Sequence, residues 1–115
     1  MEKENHILQL NDGPFESIKN RLKTIEMRLF DQKRKKIQVG DIIKFVKRSN
    51  NADFIFARVK NLYLFNDFKT LYKNFDQSSL GYKSQQTARP EDMAQYYSEN
   101  EIEKYGVVGI EIEVI

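Results

Sequence analysis

With 115 residues, 40% of them hydrophobic and 31% charged, and a net charge of +2, the chain is sized for one domain, residues 1–115, with a real core. It has no cysteine and a single histidine, His6, which excludes disulfides and thiolate metal sites and leaves no ready set of residues for a zinc centre or a Ser-His-Asp triad. No apolar run approaches the ~20 residues of a membrane helix and no leader pattern opens the chain, so the expectation is a cytoplasmic protein with no membrane partner, metal or cofactor.

Ile7-Leu8-Gln9-Leu10 reads as a first short strand, broken by Asn11-Asp12-Gly13-Pro14. Asp12 or Gly13 can cap a helix there, with Pro14 in its first turn, where a missing N–H costs nothing. Phe15, Ile18, Lys19 and Leu22 give the face of a two-turn helix. The next stretch, Leu22 to Leu29, alternates. Ile25, Met27 and Leu29 would cover a core, while Thr24, Glu26 and Arg28 would share the opposite face, with Lys23 at the entrance. Charges of both signs thus converge on a short piece of rigid backbone. That pattern fits a salt-bridged surface or a site.

Asp31 to Gln38 is a polar connection containing the basic run Lys33-Arg34-Lys35-Lys36, whose plainest role is a solvated loop. Val39-Gly40-Asp41 signals a turn, with Gly40 needed for its geometry. Ile42 to Val46 is apolar on both faces, as in a buried strand. A turn at Ser49 to Asp53 leads into a long β-rich run, Phe54 to Phe65, which together suggest a hairpin. Asn66-Asp67 caps a helix with Phe68, Leu71, Tyr72 and Phe75 on its apolar face, read as core instead of a base-stacking platform. A long polar loop holds Tyr82 and Arg89. Pro90-Glu91-Asp92 opens a short helix with Met93, Tyr96 and Tyr97. Ser98 and Glu101 form a capping box, Gly106 ends that turn, and Val107 to Ile115 alternates again with Val108, Ile110, Ile112 and Val114 inward. About five or six strands with three inserted short helices argue for an α+β fold built on a small, largely antiparallel barrel.

The region from Ile18 to Phe45 resembles the signature of the ASCH (activating-signal-cointegrator homology) domain of the PUA-like superfamily. That signature reads Gly-x-Lys-x-x-Glu-x-Arg, followed after a variable loop by a Gly-Asp turn and an apolar strand. Lys23, Glu26 and Arg28 match, as do Gly40-Asp41 and Ile42 to Phe45; Arg21 stands where the family has glycine. The tail from Tyr96 to Ile110 resembles bacterial stand-alone members. The resemblance implies a PUA-like β-barrel with flanking helices and a charged cleft, and RNA or a nucleoside as partner. Lys23 and Arg28 suit phosphates and Glu26 an exocyclic base amine; Tyr82 and Arg89 supply planes for stacking.

The resemblance also implies a rival reading as an enzyme. One branch of the family is an amidohydrolase acting on acetylated cytidine through a lysine, a threonine and a glutamate. Lys23 falls on the lysine and Thr24 on one threonine of its Lys-Thr-x-Thr pattern, whereas Glu26 replaces the other. An enzyme of this kind would use Lys23, Thr24 and Glu26. Ribonuclease activity is a further alternative, and a protein-binding module a third class.

Overall fold

A computed structural model describes residues 5–115, with the side chain of Asn5 left aside. The strands are β1 (Asn5–Leu10), β2 (Ile25–Leu29), β3 (Ile42–Lys47), β4 (Phe54–Phe65) and β5 (Val107–Val114). The helices are α1 (Asp12–Lys19), α2 (Phe68–Lys73) and α3 (Glu99–Tyr105), with 3-10 turns at Arg34–Lys36 and Pro90–Gln95. The strands form one curled sheet in the order β1-β3-β4-β5-β2. Only β1 and β3 run parallel; the other neighbours are antiparallel. The result is a five-stranded half-barrel with short helices, the α+β PUA-like architecture expected, with β1 and β2 as its two edges.

Local chemistry explains most boundaries. The β3–β4 hairpin turns at Ser49 to Asp53 as expected, and β4 is bent by a register shift between Val59 and Asn61. Asp67 caps α2 by accepting from the Thr70 N–H at 2.8 Å. Ser98 and Glu101 complete the capping box of α3, which stops at Gly106 with φ +71°. Gly40 makes its turn at φ +94°.

Two cores lie on opposite faces of the sheet. The inner one joins Leu8, Phe15, Ile18, Phe45, Val59, Val108 and Ile110. The outer one joins Ile25, Met27, Leu29, Phe68, Leu71, Leu80, Met93 and Val107. Phe75 lies beyond the end of α2 but still packs against this outer core.

One expectation is corrected. The α1 face stops short of Leu22, which is 67% exposed, because the helix ends at Lys19 and Arg21 takes a left-handed φ of +62°. That single residue reverses the chain and turns Leu22 outward. Ile25, Met27 and Leu29 of β2 are buried in a core, as expected. Glu26 lies opposite Ile110 and Arg28 opposite Val108, and residues opposite one another on a ladder share a face. The charged face therefore belongs to the barrel's inner side. Ile25, Met27 and Leu29 pack outward under α2, and both faces of the strand are covered.

Candidate functional site

The strand's inward charges meet at the seam between the two sheet edges. Glu26 is 3% exposed, a burial that an unpaired carboxylate would not tolerate. Both its oxygens are engaged. Oε1 accepts from Lys23 Nζ at 2.9 Å and from the Met27 N–H at 3.2 Å. Oε2 accepts from Arg28 Nε at 2.9 Å and lies 2.8 Å from Nη2. Arg28 Nη2 also donates to the Gln9 carbonyl at 2.7 Å, so the guanidinium bridges edge strand β2 to edge strand β1. Burial would raise the Glu26 carboxyl, but the charges and hydrogen bonds of Lys23 and Arg28 outweigh it and hold the group at about 2. Burial lowers the guanidinium of Arg28, yet Glu26 more than offsets this and the net shift is upward.

These three side chains line a cavity of about 290 Å³ together with Gln9, Arg34, Arg48 and Tyr97. An adjoining recess of about 420 Å³ is lined by Lys23, Tyr72, Tyr82 and Asp92. Lys23, Met27, Met93 and Tyr96 border both, so the two are lobes of one cleft roofed by the Pro90–Gln95 turn and the tyrosines after it. Gly81, at φ +100°, packs against the Lys23 stem; a Cβ there would stand 3.0 Å from Lys23 Cδ. The loop thus fixes the lysine from behind.

The other expected residues are distributed unevenly. Tyr82 reaches the second lobe, where its hydroxyl lies 2.8 Å from both the Tyr72 hydroxyl and Asp92 Oδ2. Burial pushes its phenol up, and these hydrogen bonds add to the shift. Arg89 lies in neither lobe: it is exposed, with Nε 3.8 Å from Glu91. Thr24 lines a third recess with Arg21, Lys60, Glu111 and Glu113, and its backbone is spent on Ser79 and Ile112. Of the paired tyrosines, Tyr97 is partly buried and stacked on Phe68, with centroids 6.0 Å apart, while Tyr96 is 49% exposed at the rim. Sequence reasoning left Gln9, Arg34 and Arg48 out of the cleft. Arg34 carried a signal in the basic run, but nothing in the pattern separates it from its exposed neighbours Lys33, Lys35 and Lys36.

A groove of about 1170 Å³ between α2 and α3 is larger. Its lining sets four carboxylates, Asp67, Glu91, Glu99 and Glu103, against two lysines, Lys69 and Lys104, a net negative charge that disfavours polyanions. The smaller basic cleft is the better candidate on chemistry.

A model of the ASCH domain family matches residues 8–115. The chain belongs to the ASCH domain family. Among solved structures, this ASCH domain is similar to the hypothetical protein PH0355, with 31% identity, 97% of this chain and 100% of that one covered, and a TM-score of 0.81. It is similar also to protein PF0455 of Pyrococcus furiosus, with 31% identity, coverage of 97% and 98%, and a TM-score of 0.69. The ASCH protein of Zymomonas mobilis shares the fold at 14% identity, with 97% of this chain and 68% of that one covered and a TM-score of 0.68. No curated protein matches the sequence. Membership of this PUA-like family points to nucleic-acid or ligand binding. No helix among the described residues of the ASCH domain is long and apolar enough to cross a membrane.

Proposed function

We propose that the chain binds RNA or a nucleotide-like ligand in the cleft formed by Lys23, Glu26 and Arg28. The observation that carries this reading is the saturated Glu26. A carboxylate held at about 2, with both oxygens engaged, is a poor proton acceptor at neutral pH. It is well suited to holding Lys23 and Arg28 in fixed positions, and a cationic, partly enclosed wall suits a phosphate-bearing ligand. Tyr82 and Tyr96 offer aromatic edges or faces beside it.

The amidohydrolase alternative would need Lys23, Thr24 and Glu26 to act on one substrate. Thr24 lies in a different recess from the Glu26 carboxylate, which favours binding over that chemistry. Arg89, exposed outside both lobes, is left with a peripheral role at most, along a longer strand.

The test replaces Lys23 and Arg28 by alanine, with Glu26→Gln added so that no buried carboxylate is left unpartnered. Binding of a short single-stranded RNA is then measured at several salt concentrations. Weaker affinity and a shallower salt dependence are expected. Affinity and salt slope equal to those of the parent would refute the reading. Release of acetate from acetylated cytidine by the parent protein, lost in Lys23→Ala, would replace it with the hydrolase.

A further inference from the structure

The two lobes flanking Lys23 differ in chemistry. The first is basic: Lys23, Arg28, Arg34 and Arg48 face a single carboxylate, Glu26, which Lys23 and Arg28 already satisfy. Arg34 and Arg48 are therefore surplus to that network. Arg48 stands at the β3–β4 turn, where its N–H donates to the Leu10 carbonyl at 2.8 Å. Its side chain makes no hydrogen bond or ion pair among the described residues. Arg34 Nη1 reaches Asp31 at 2.7 Å, but its Nε is buried with no hydrogen-bond partner among the described residues. A buried, unsatisfied donor on a charged group carries a desolvation penalty that an incoming acceptor would relieve. The second lobe is aromatic and thioether-rich, lined by Tyr72, Tyr82, Met27, Met93 and Tyr96.

We infer that the cleft holds one phosphorylated nucleotide unit, its phosphate in the basic lobe against Arg28, Arg34 and Arg48 and its base in the tyrosine lobe. This rests on the binding reading above and narrows it, because a neutral nucleoside would leave the Arg48 guanidinium without an anion and the buried Arg34 Nε without an acceptor. A phosphate presents several acceptor oxygens in the geometry that guanidinium forks match. The two lobes, at about 290 and 420 Å³, lie within or near the range of small-molecule sites. Lys23, common to both, would stand near the sugar. The same unit could arrive as a free mononucleotide or as part of an RNA strand.

Calorimetric titration of the full chain separates these sources and the underlying claims. The probes are the four ribonucleosides, their 5′- and 3′-monophosphates, and a short single-stranded RNA, with the parent, Arg34→Gln and Arg48→Gln. Tenfold or tighter binding of a monophosphate over its nucleoside, mostly erased in each arginine variant while nucleoside affinity holds, supports the inference with a free nucleotide as source. If only RNA binds, a salt slope reduced by about one per variant supports it with a strand as source. Equal affinity for nucleoside and monophosphate, or RNA binding unchanged in both variants, overturns the phosphate lobe. The broader reading then survives, because its own test acts on Lys23 and Arg28. Absence of binding by every probe overturns both. Arg48 is exposed, so its variant is expected to fold as the parent does.

Discussion

Replacing Glu26 by glutamine should destabilise the protein by about 3 kcal/mol at pH 7, in a pH-dependent way. The carboxyl is lowered from 4.5 to about 2 by folding; at about 1.4 kcal/mol per pH unit that shift is worth roughly 3 kcal/mol. An independent route gives a similar figure, since breaking a buried ion pair by removing one partner costs about 3–5 kcal/mol. The amide can still accept one hydrogen bond, which favours the lower end. Because the folded-state value is depressed, this contribution is fully present above the unfolded value of 4.5 and is lost as pH falls through the folded value of about 2. By pH 3 about 2 kcal/mol of it should already be gone. Urea unfolding of parent and variant at pH 7, 5 and 3 tests this. The gap should stay near its full size at pH 5 and shrink to about 1 kcal/mol at pH 3. A gap below about 1 kcal/mol at pH 7, or one that does not narrow at pH 3, would show that Glu26 is not the counter-charge described.

Arg21→Gly should stabilise the fold by roughly 0.5–1 kcal/mol, because the relief of a left-handed arginine exceeds the added entropy of the unfolded chain; a melting scan should rise, and a fall would mean the Arg21 contact with the Val114 carbonyl at 3.5 Å matters more than the backbone. Gly81→Ala should cost about 1–2 kcal/mol from its positive φ and also weaken RNA binding, since the new methyl presses on a Lys23 stem that Glu26 holds in place; unchanged affinity in a binding titration would uncouple that loop from the cleft. Ser98→Ala removes half of the capping box and should cost about 1 kcal/mol in urea unfolding; no loss would show that α3 is held by packing alone.

The parts of the fold written in local chemistry were legible. The capping box, the Asp67 cap, the Gly40 turn and the period of β5 depend on neighbours a few residues away, and each forms as read. The meeting of Lys23, Glu26 and Arg28 was legible too, because alternation alone puts Glu26 and Arg28 on one face. Which face that would be was not. The side of β2 that becomes interior depends on its register with β5 and on cover from α2 and the Pro90–Gln95 turn, all distant in sequence. The same limit hid Arg48 and Gln9, brought to the cleft by strand pairing and not by any motif. Arg21 misled in a different way: helical spacing through Leu22 looked sound, but a left-handed residue interrupts it without the usual glycine to announce it.

The position of β2 as an edge strand has a consequence for how the molecule is made. Among the described residues its ladder runs to β5 alone, pairing Ile25 with Glu111 and Leu29 with Val107. Contacts of such sequence separation form late, because a long loop must close first. On a ribosome adding roughly 5–20 residues per second, the charged strand therefore waits several seconds for its partner. During that interval Glu26 is solvated and the lowered pKa it has in the fold does not yet exist. Pulse-labelled hydrogen exchange should find the β2 amides protected after those of the β3–β4 hairpin; simultaneous protection would argue against this order. The charges of the cleft are thus translated well before the strand that holds them in place.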